Sequence, residues 1–172
     1  VIEAGAKTAV YTTKNKIVGV IGTDGTIRSK AYNKEIEKID SEIKIVDKSC
    51  PLFVPIVEEG WANTDIASLT AKRYLEELME EGIDSLVLGC THYPLLKRTI
   101  GEIVGENVKL VNPAKETAKD LKEILENNNM LRLDSEIEPK YEYYVSDIPE
   151  KFAAIAEEFL KKEIEDIKNV KI

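Results

Sequence analysis

Three reactive side chains stand together in this chain: the thiol of Cys90, the hydroxyl of Thr91 and the imidazole of His92. The histidine is the only one among 172 residues, and Cys90 is one of two cysteines. Thiol and imidazole are two residues apart, near enough to trade a proton with each other or with a group bound beside them. Thr91 and the backbone N–H groups of a turn can hold a carboxylate or a phosphate. The preceding Leu86-Val87-Leu88 is apolar without alternation, as in a parallel strand buried on both faces. It stops at Gly89, and a helical pattern resumes after Pro94, a residue suited to the first turn of a helix. The three groups are therefore expected in a strand-to-helix turn at the carboxyl end of a buried strand. Open α/β sheets bind ligands there, and the partial positive charge at a helix start favours a thiolate. The same residues also suit a plain structural role, with Cys90 a buried small hydrophobe and His92 a satisfied core histidine.

Other chemistries find little support. Gly22-Thr23-Asp24-Gly25-Thr26 could cradle an anion as a glycine turn. It has neither the lysine of a P-loop nor the spacing of a dinucleotide fingerprint, and tight-turn geometry alone accounts for it. One histidine and two distant cysteines give no metal-ligand spacing. Asp65, Glu76, Glu77, Glu80 and Glu81 read as a solvated acidic face. A net charge of −8 and a pI of about 4.9 argue against nucleic acid as the main partner. No apolar run approaches the roughly 20 residues that span a bilayer, and the first residues carry no secretory signal. Two cysteines at unrelated places fit a reducing cytoplasm better than a disulfide framework. With 43% apolar and 33% charged residues the chain reads as globular.

The elements that must position the turn follow from periodicity. Buried strands are expected over 16–21, 43–46, 85–88 and 109–111. Tyr32, Ile36 and Ile39 share one helix face, and Ile66, Leu69, Ala71, Leu75 and Leu78 mark a helix that ends near Gly82. Residues 48–64 read as a long apolar loop kept extended by Pro51 and Pro55, with Trp61 covering it. A helix is expected over 94–103. Another is capped by Asn112, with Ala118, Leu121 and Leu125 on one face. Residues 131–139 read as a polar link, 141–145 as a strand and 152–164 as a last amphipathic helix. The charged tail from 161 to 171 reads as a solvated face. Alternating strands and helices give an α/β class with a mainly parallel sheet flanked by helices.

Leu88-Gly89-Cys90-Thr91-His92-Tyr93-Pro94-Leu95-Leu96 resembles the second cysteine motif of bacterial glutamate racemases, in the aspartate/glutamate racemase superfamily. Three blocks stand in the matching order: Gly19-Val20-Ile21-Gly22-Thr23-Asp24-Gly25-Thr26, then the stretch from Cys50-Pro51-Leu52 to Glu58-Glu59-Gly60, then Val111-Asn112-Pro113-Ala114. The resemblance covers nearly the whole chain and weakens over 127–140.

It implies a two-lobed fold with the active site between lobes. Residues 1–105 would form the second lobe and 106–172 would return to complete the first. It implies an isomerase that interconverts L- and D-glutamate without a cofactor, by two bases on opposite faces of the α-carbon, and so supplies D-glutamate for peptidoglycan in the cytoplasm. Cys90 would be one base. His92 would tune it or help neutralise the carbanion, Thr91 would hold a substrate carboxylate or ammonium, and Glu58 would hold the imidazole in one tautomer. No lysine context argues for pyridoxal phosphate. The partner implied is the small molecule glutamate, with no nucleic acid or membrane; a homodimer is left open.

Members of the family also carry an Asp-Ser-Gly motif and a first cysteine followed by Asn-Thr. Neither is present, and Cys50 is followed by Pro51-Leu52, so Cys50 reads as a core thiol. The chain opens at Val1 on what reads as a helix tail. It is therefore expected to be the carboxyl-terminal part of a longer enzyme, and inactive alone. The rival readings are an aspartate racemase, against which Thr91-His92-Tyr93 favours glutamate, and a non-catalytic α/β interaction module with an inert thiol.

Overall fold

The computed structural model describes residues 1–133, 138–164 and 166–171. It divides into two compact units, Val1–Leu131 and Arg132–Ile172.

In the first unit α1 (Ile2–Thr12) leads to β1 (Ile17–Gly22), α2 (Asp24–Ser29), α3 (Ala31–Ile39) and β2 (Lys44–Ser49). Then come α4 (Phe53–Glu58), α5 (Asp65–Glu80) and β3 (Ser85–Gly89). A 3-10 turn, Tyr93–Leu96, precedes α6 (Lys97–Val104), β4 (Lys109–Val111) and α7 (Pro113–Asn127). The four strands pair in parallel in the order β2-β1-β3-β4. Their carboxyl ends therefore share one edge, and the loops after Gly22, Ser49, Gly89 and Val111 gather there.

The missing alternation in β1 and β3 has a simple cause. Leu86 and Leu88 pack on one face with Ile21, Phe53, Leu75 and Ile100. Val87 packs on the other with Val18, Val20, Tyr32, Ile36 and Ala6. Strands with helices on both faces need apolar side chains on both. At the opposite edge Asp84 ties α1 to β3. Its carboxylate accepts from the Thr13 hydroxyl at 2.5 Å and from the Lys14 and Asn15 amides at 2.6 and 2.9 Å. The expected α/β class with a parallel sheet flanked by helices is what the chain adopts.

Several local expectations are corrected. Residues 53–58 form α4 rather than extended loop. Phe53, Ile56 and Val57 are buried at i, i+3 and i+4, a helical spacing that the prolines obscured. Pro55 stands at the third helical position, where its missing N–H breaks no helical hydrogen bond. Trp61 is 44% exposed. Gly25 lies within α2, which Thr23 caps by accepting from the Thr26 amide at 3.4 Å. The helix expected over 94–103 is split into the 3-10 turn and α6. β4 extends the same sheet through Val111.

In the second unit β5 (Tyr143–Val145) pairs in parallel with β6 (Ile167–Asn169), and α8 (Pro149–Leu160) connects them. The expected strand begins two residues late and the expected helix stops four early, at Lys161, which turns left-handed with φ 53°. The tail read as a solvated face contains β6 instead. The expected link over 131–139 includes 134–137, which lie outside the described residues, as does Glu165 in the tail.

Candidate active site at the carboxyl edge of the sheet

The turn that follows β3 carries Cys90, Thr91 and His92. Gly22 and Gly89 face each other in the register of β1 and β3, so the two central strands both end on glycine. A Cβ at Gly89 would lie 2.7 Å from the Ile21 carbonyl oxygen and 3.0 Å from Tyr32 Cε2. The close approach keeps β3 against β1 where the reactive turn begins.

His92 joins the reactive groups. Its Nε2 lies 3.3 Å from Glu58 Oε1. Its Nδ1 lies 3.3 Å from Thr91 Oγ1 and 4.0 Å from Cys90 Sγ. An ionised carboxylate only accepts, so Glu58 favours a proton on the nitrogen that faces it, which is Nε2. With the proton there, Nδ1 is free to accept from the thiol or from the Thr91 hydroxyl. Glu58 is brought there by α4, whose last residue it is. Without that helix a carboxylate 34 positions upstream of His92 would have no fixed place. The structure thus brings Cys90, Thr91, His92 and Glu58 together on one edge.

The turn is seated on aromatic rings. Phe53 meets Tyr93 edge-on at 5.2 Å and Tyr74 edge-on at 5.3 Å. The Tyr93 hydroxyl donates to the Cys50 carbonyl at 2.9 Å. Cys50 itself is fully buried, and burial pushes its thiol up to about 12. That is the environment of a core thiol, inert at neutral pH.

Residues that the sequence reading did not assign to the site also lie here. Tyr32 comes from α3 to pack beneath Gly89. Burial pushes its phenol up to about 12, with the nearby sulfur of Cys90 adding to the effect. Ser49, at the end of β2, donates to the Asp24 carboxylate at the start of α2. Nothing in the spacing of Tyr32 and Cys90 along the chain signals their proximity. The Ser49–Asp24 contact could have been sought only once both strand ends were known to share an edge. Asn112 caps α7 as expected, accepting from the Ala114 and Lys115 amides at 3.1 and 3.4 Å. Among the described residues no group of three or more His, Cys, Asp and Glu side chains is placed to hold a metal ion. Nor is any helix among them long and apolar enough to cross a membrane.

A family model described as Asp/Glu/Hydantoin racemase matches residues 1–121. The chain belongs to that family. Over its whole length this racemase-family chain is 51% identical to a glutamate racemase of Geobacter metallireducens and 46% identical to one of Thermoanaerobacter pseudethanolicus. It covers 63% and 64% of those proteins, and so spans somewhat under two thirds of the length of the curated relatives it matches. The crystal structure of a glutamate racemase from Francisella tularensis in complex with D-glutamate superposes with a TM-score of 0.87 at 38% identity, covering 99% of this chain and 62% of that one. A glutamate racemase isoform from Bacillus anthracis gives a TM-score of 0.90 at 36% identity, over 99% of this chain and 63% of that one.

Proposed function

We propose that this chain supplies one half of a cofactor-independent glutamate racemase. The observation that carries the proposal is the line Glu58–His92–Cys90 at the carboxyl edge of the sheet, in a family whose similar members are glutamate racemases. In this reading the Cys90 thiolate takes the α-proton of glutamate from one face and becomes a thiol. The carbanion receives a proton from an acid on the opposite face, and inversion follows because donor and acceptor stand on opposite sides. In the reverse direction the Cys90 thiol returns its proton. His92 tunes Cys90 or helps neutralise the developing carbanion, Glu58 holds the imidazole in one tautomer, and Thr91 binds a substrate carboxylate or ammonium. Residues through Gly105 belong to the second lobe and the later segment completes the first. The reaction is cytoplasmic and its D-glutamate is used for peptidoglycan.

The second base must be a group other than Cys50, which is buried and held as a thiol. The 172 residues alone should therefore form no D-glutamate from L-glutamate. In a racemase that contains them, Cys90→Ser should abolish turnover while circular dichroism is unchanged, because a hydroxyl is far too weak an acid to replace the thiol. Full turnover in Cys90→Ser would remove the central claim. Turnover by the 172-residue chain comparable to an intact racemase would show that both bases lie within it.

A further inference from the structure

Tyr93 follows His92 directly, yet its side chain is fully buried. Its hydroxyl donates to the Cys50 carbonyl at 2.9 Å, across 43 positions of sequence. The same carbonyl also accepts from the Phe53 amide at 3.2 Å, the bond that starts α4. The Cys50 amide in turn donates to the Gly22 carbonyl at 2.9 Å, which fixes this residue to β1. The backbone of Cys50 thus joins the end of β1, the start of α4 and the turn after β3. The Tyr93 ring completes the joint by meeting Phe53 edge-on at 5.2 Å. From this joint α4 runs five residues to Glu58, and the turn runs one residue back to His92.

We infer that Tyr93 is a positioning residue whose hydrogen bond to the Cys50 carbonyl sets the distance between Glu58 and His92. A phenol fits the task because the ring spans the gap between turn and helix while its hydroxyl reaches a backbone acceptor. Two rigid levers leave the joint, so a small slip there is felt at both ends. The Glu58–His92 ion-pair contact is 3.3 Å long and half of the Glu58 side chain is exposed; a slip of roughly 0.7 Å carries the pair beyond the ~4 Å reach of an ion pair. Burial also pushes the Tyr93 phenol up, so the hydroxyl keeps its proton and remains a donor throughout the ordinary pH range.

The inference takes its functional meaning from the proposed racemase reading, but its test does not depend on turnover. His92 is the only histidine, so its imidazole C–H signals in a proton–carbon NMR spectrum of the 172-residue chain are unambiguous. Tyr93→Phe removes one hydroxyl and keeps the ring. Its imidazole signals should move in the same direction as those of Glu58→Gln, by at least about half as much. In the double variant they should move no further than in Glu58→Gln alone, because the contact that Tyr93 sets is already gone. A buried phenol with only a structural role would give a Tyr93→Phe spectrum with the imidazole signals in place, or shifts that add to those of Glu58→Gln. Either result overturns the inference. Should Tyr93→Phe fail to fold, Phe53→Leu loosens the ring seat and leaves the hydrogen bond, and the same non-additive shift is expected of it. These outcomes are independent of Cys90→Ser turnover, so the joint can fail while the racemase reading stands, and the reverse.

Discussion

Replacing Gly89 with alanine tests the part of the site that is built by the sheet itself. The added Cβ would stand 2.7 Å from the Ile21 carbonyl oxygen, 3.0 Å from Tyr32 Cε2 and 3.6 Å from Tyr32 Cδ2. Carbon and carbonyl oxygen rarely approach closer than about 3.3 Å, so β3 and β1 must part by roughly 0.6 Å at their carboxyl ends. Neither obstacle yields easily. One is backbone within the parallel ladder, and the other is a ring buried against Val18, Val20 and Val87. Overpacking of this kind costs about 1–3 kcal/mol. For a protein of this size that lowers the melting temperature by roughly 2–12 °C, at about 2–4 °C per kcal/mol. The displaced strand leads into Cys90, so in an intact racemase that contains this chain the proposed turnover should fall as well. Urea denaturation followed by the fluorescence of Trp61, the single tryptophan, reads the first unit directly. Gly25→Ala is the control: its Cβ meets only Thr23 Oγ1 at 4.0 Å, inside α2, and alanine should gain about 0.5–1 kcal/mol there. A Gly89→Ala variant as stable as the wild type, or one that moves together with Gly25→Ala, would refute the close-approach argument.

Other outcomes follow from the same geometry. In an intact racemase that contains this chain, His92→Asn should lower kcat more than it raises KM, and Glu58→Gln should act in the same direction more mildly; unchanged pH–rate profiles in both would make the pair structural. Iodoacetamide should modify Cys90 in the native chain and reach Cys50 only after denaturation, since a thiol pushed to about 12 reacts about three orders of magnitude more slowly near neutrality than an ordinary one. Ser85 Oγ is buried without a hydrogen-bond partner, so Ser85→Ala should leave stability unchanged or raise it by up to about 1 kcal/mol in urea titrations; a clear loss would contradict this. For Asp84, burial pushes the carboxyl up, but the Thr13 hydroxyl and the Lys14 and Asn15 amides outweigh it and hold the carboxyl below the usual range. A carboxyl held low contributes stability above its unfolded value near about 4 and loses it as pH falls through the folded value. Asp84→Asn should therefore cost about 1–3 kcal/mol at neutral pH, and the gap from the wild type should narrow on acidification below about pH 4; a gap that widens would reverse the sign of the argument.

Strand positions were legible where a parallel sheet leaves its mark. Leu86-Val87-Leu88 lacks alternation because both faces of β3 are covered, and Asn112-Pro113 announces α7 through capping chemistry that acts over two or three residues. The resemblance carried by residues 88–96 pointed to the family, and it also named Glu58, which no local pattern marks. Shorter elements were harder to see. Pro51 and Pro55 hid α4, although Phe53, Ile56 and Val57 have helical spacing, because proline is compatible with a helix only in its first turn and that turn cannot be found before the helix is. β6 was missed because three residues paired to a strand more than twenty positions away have no local signature.

What the sequence determined by itself is whatever depends on neighbours along the chain: the buried strands, the helix caps, the α/β class, and the adjacency of Cys90, Thr91 and His92. Only the tertiary structure decided which way the imidazole faces and that Tyr32 lies beneath Gly89. It alone also gave Tyr93 and Phe53 the Cys50 carbonyl in common. Each of these depends on contacts between segments tens of residues apart, and the distances are set by how helices pack on a sheet rather than by any spacing in the chain. Glu58 and His92 belong to both kinds of information. Their types were written in two separate motifs, but the 3.3 Å between them exists because α4 and the turn after β3 rest on the same core.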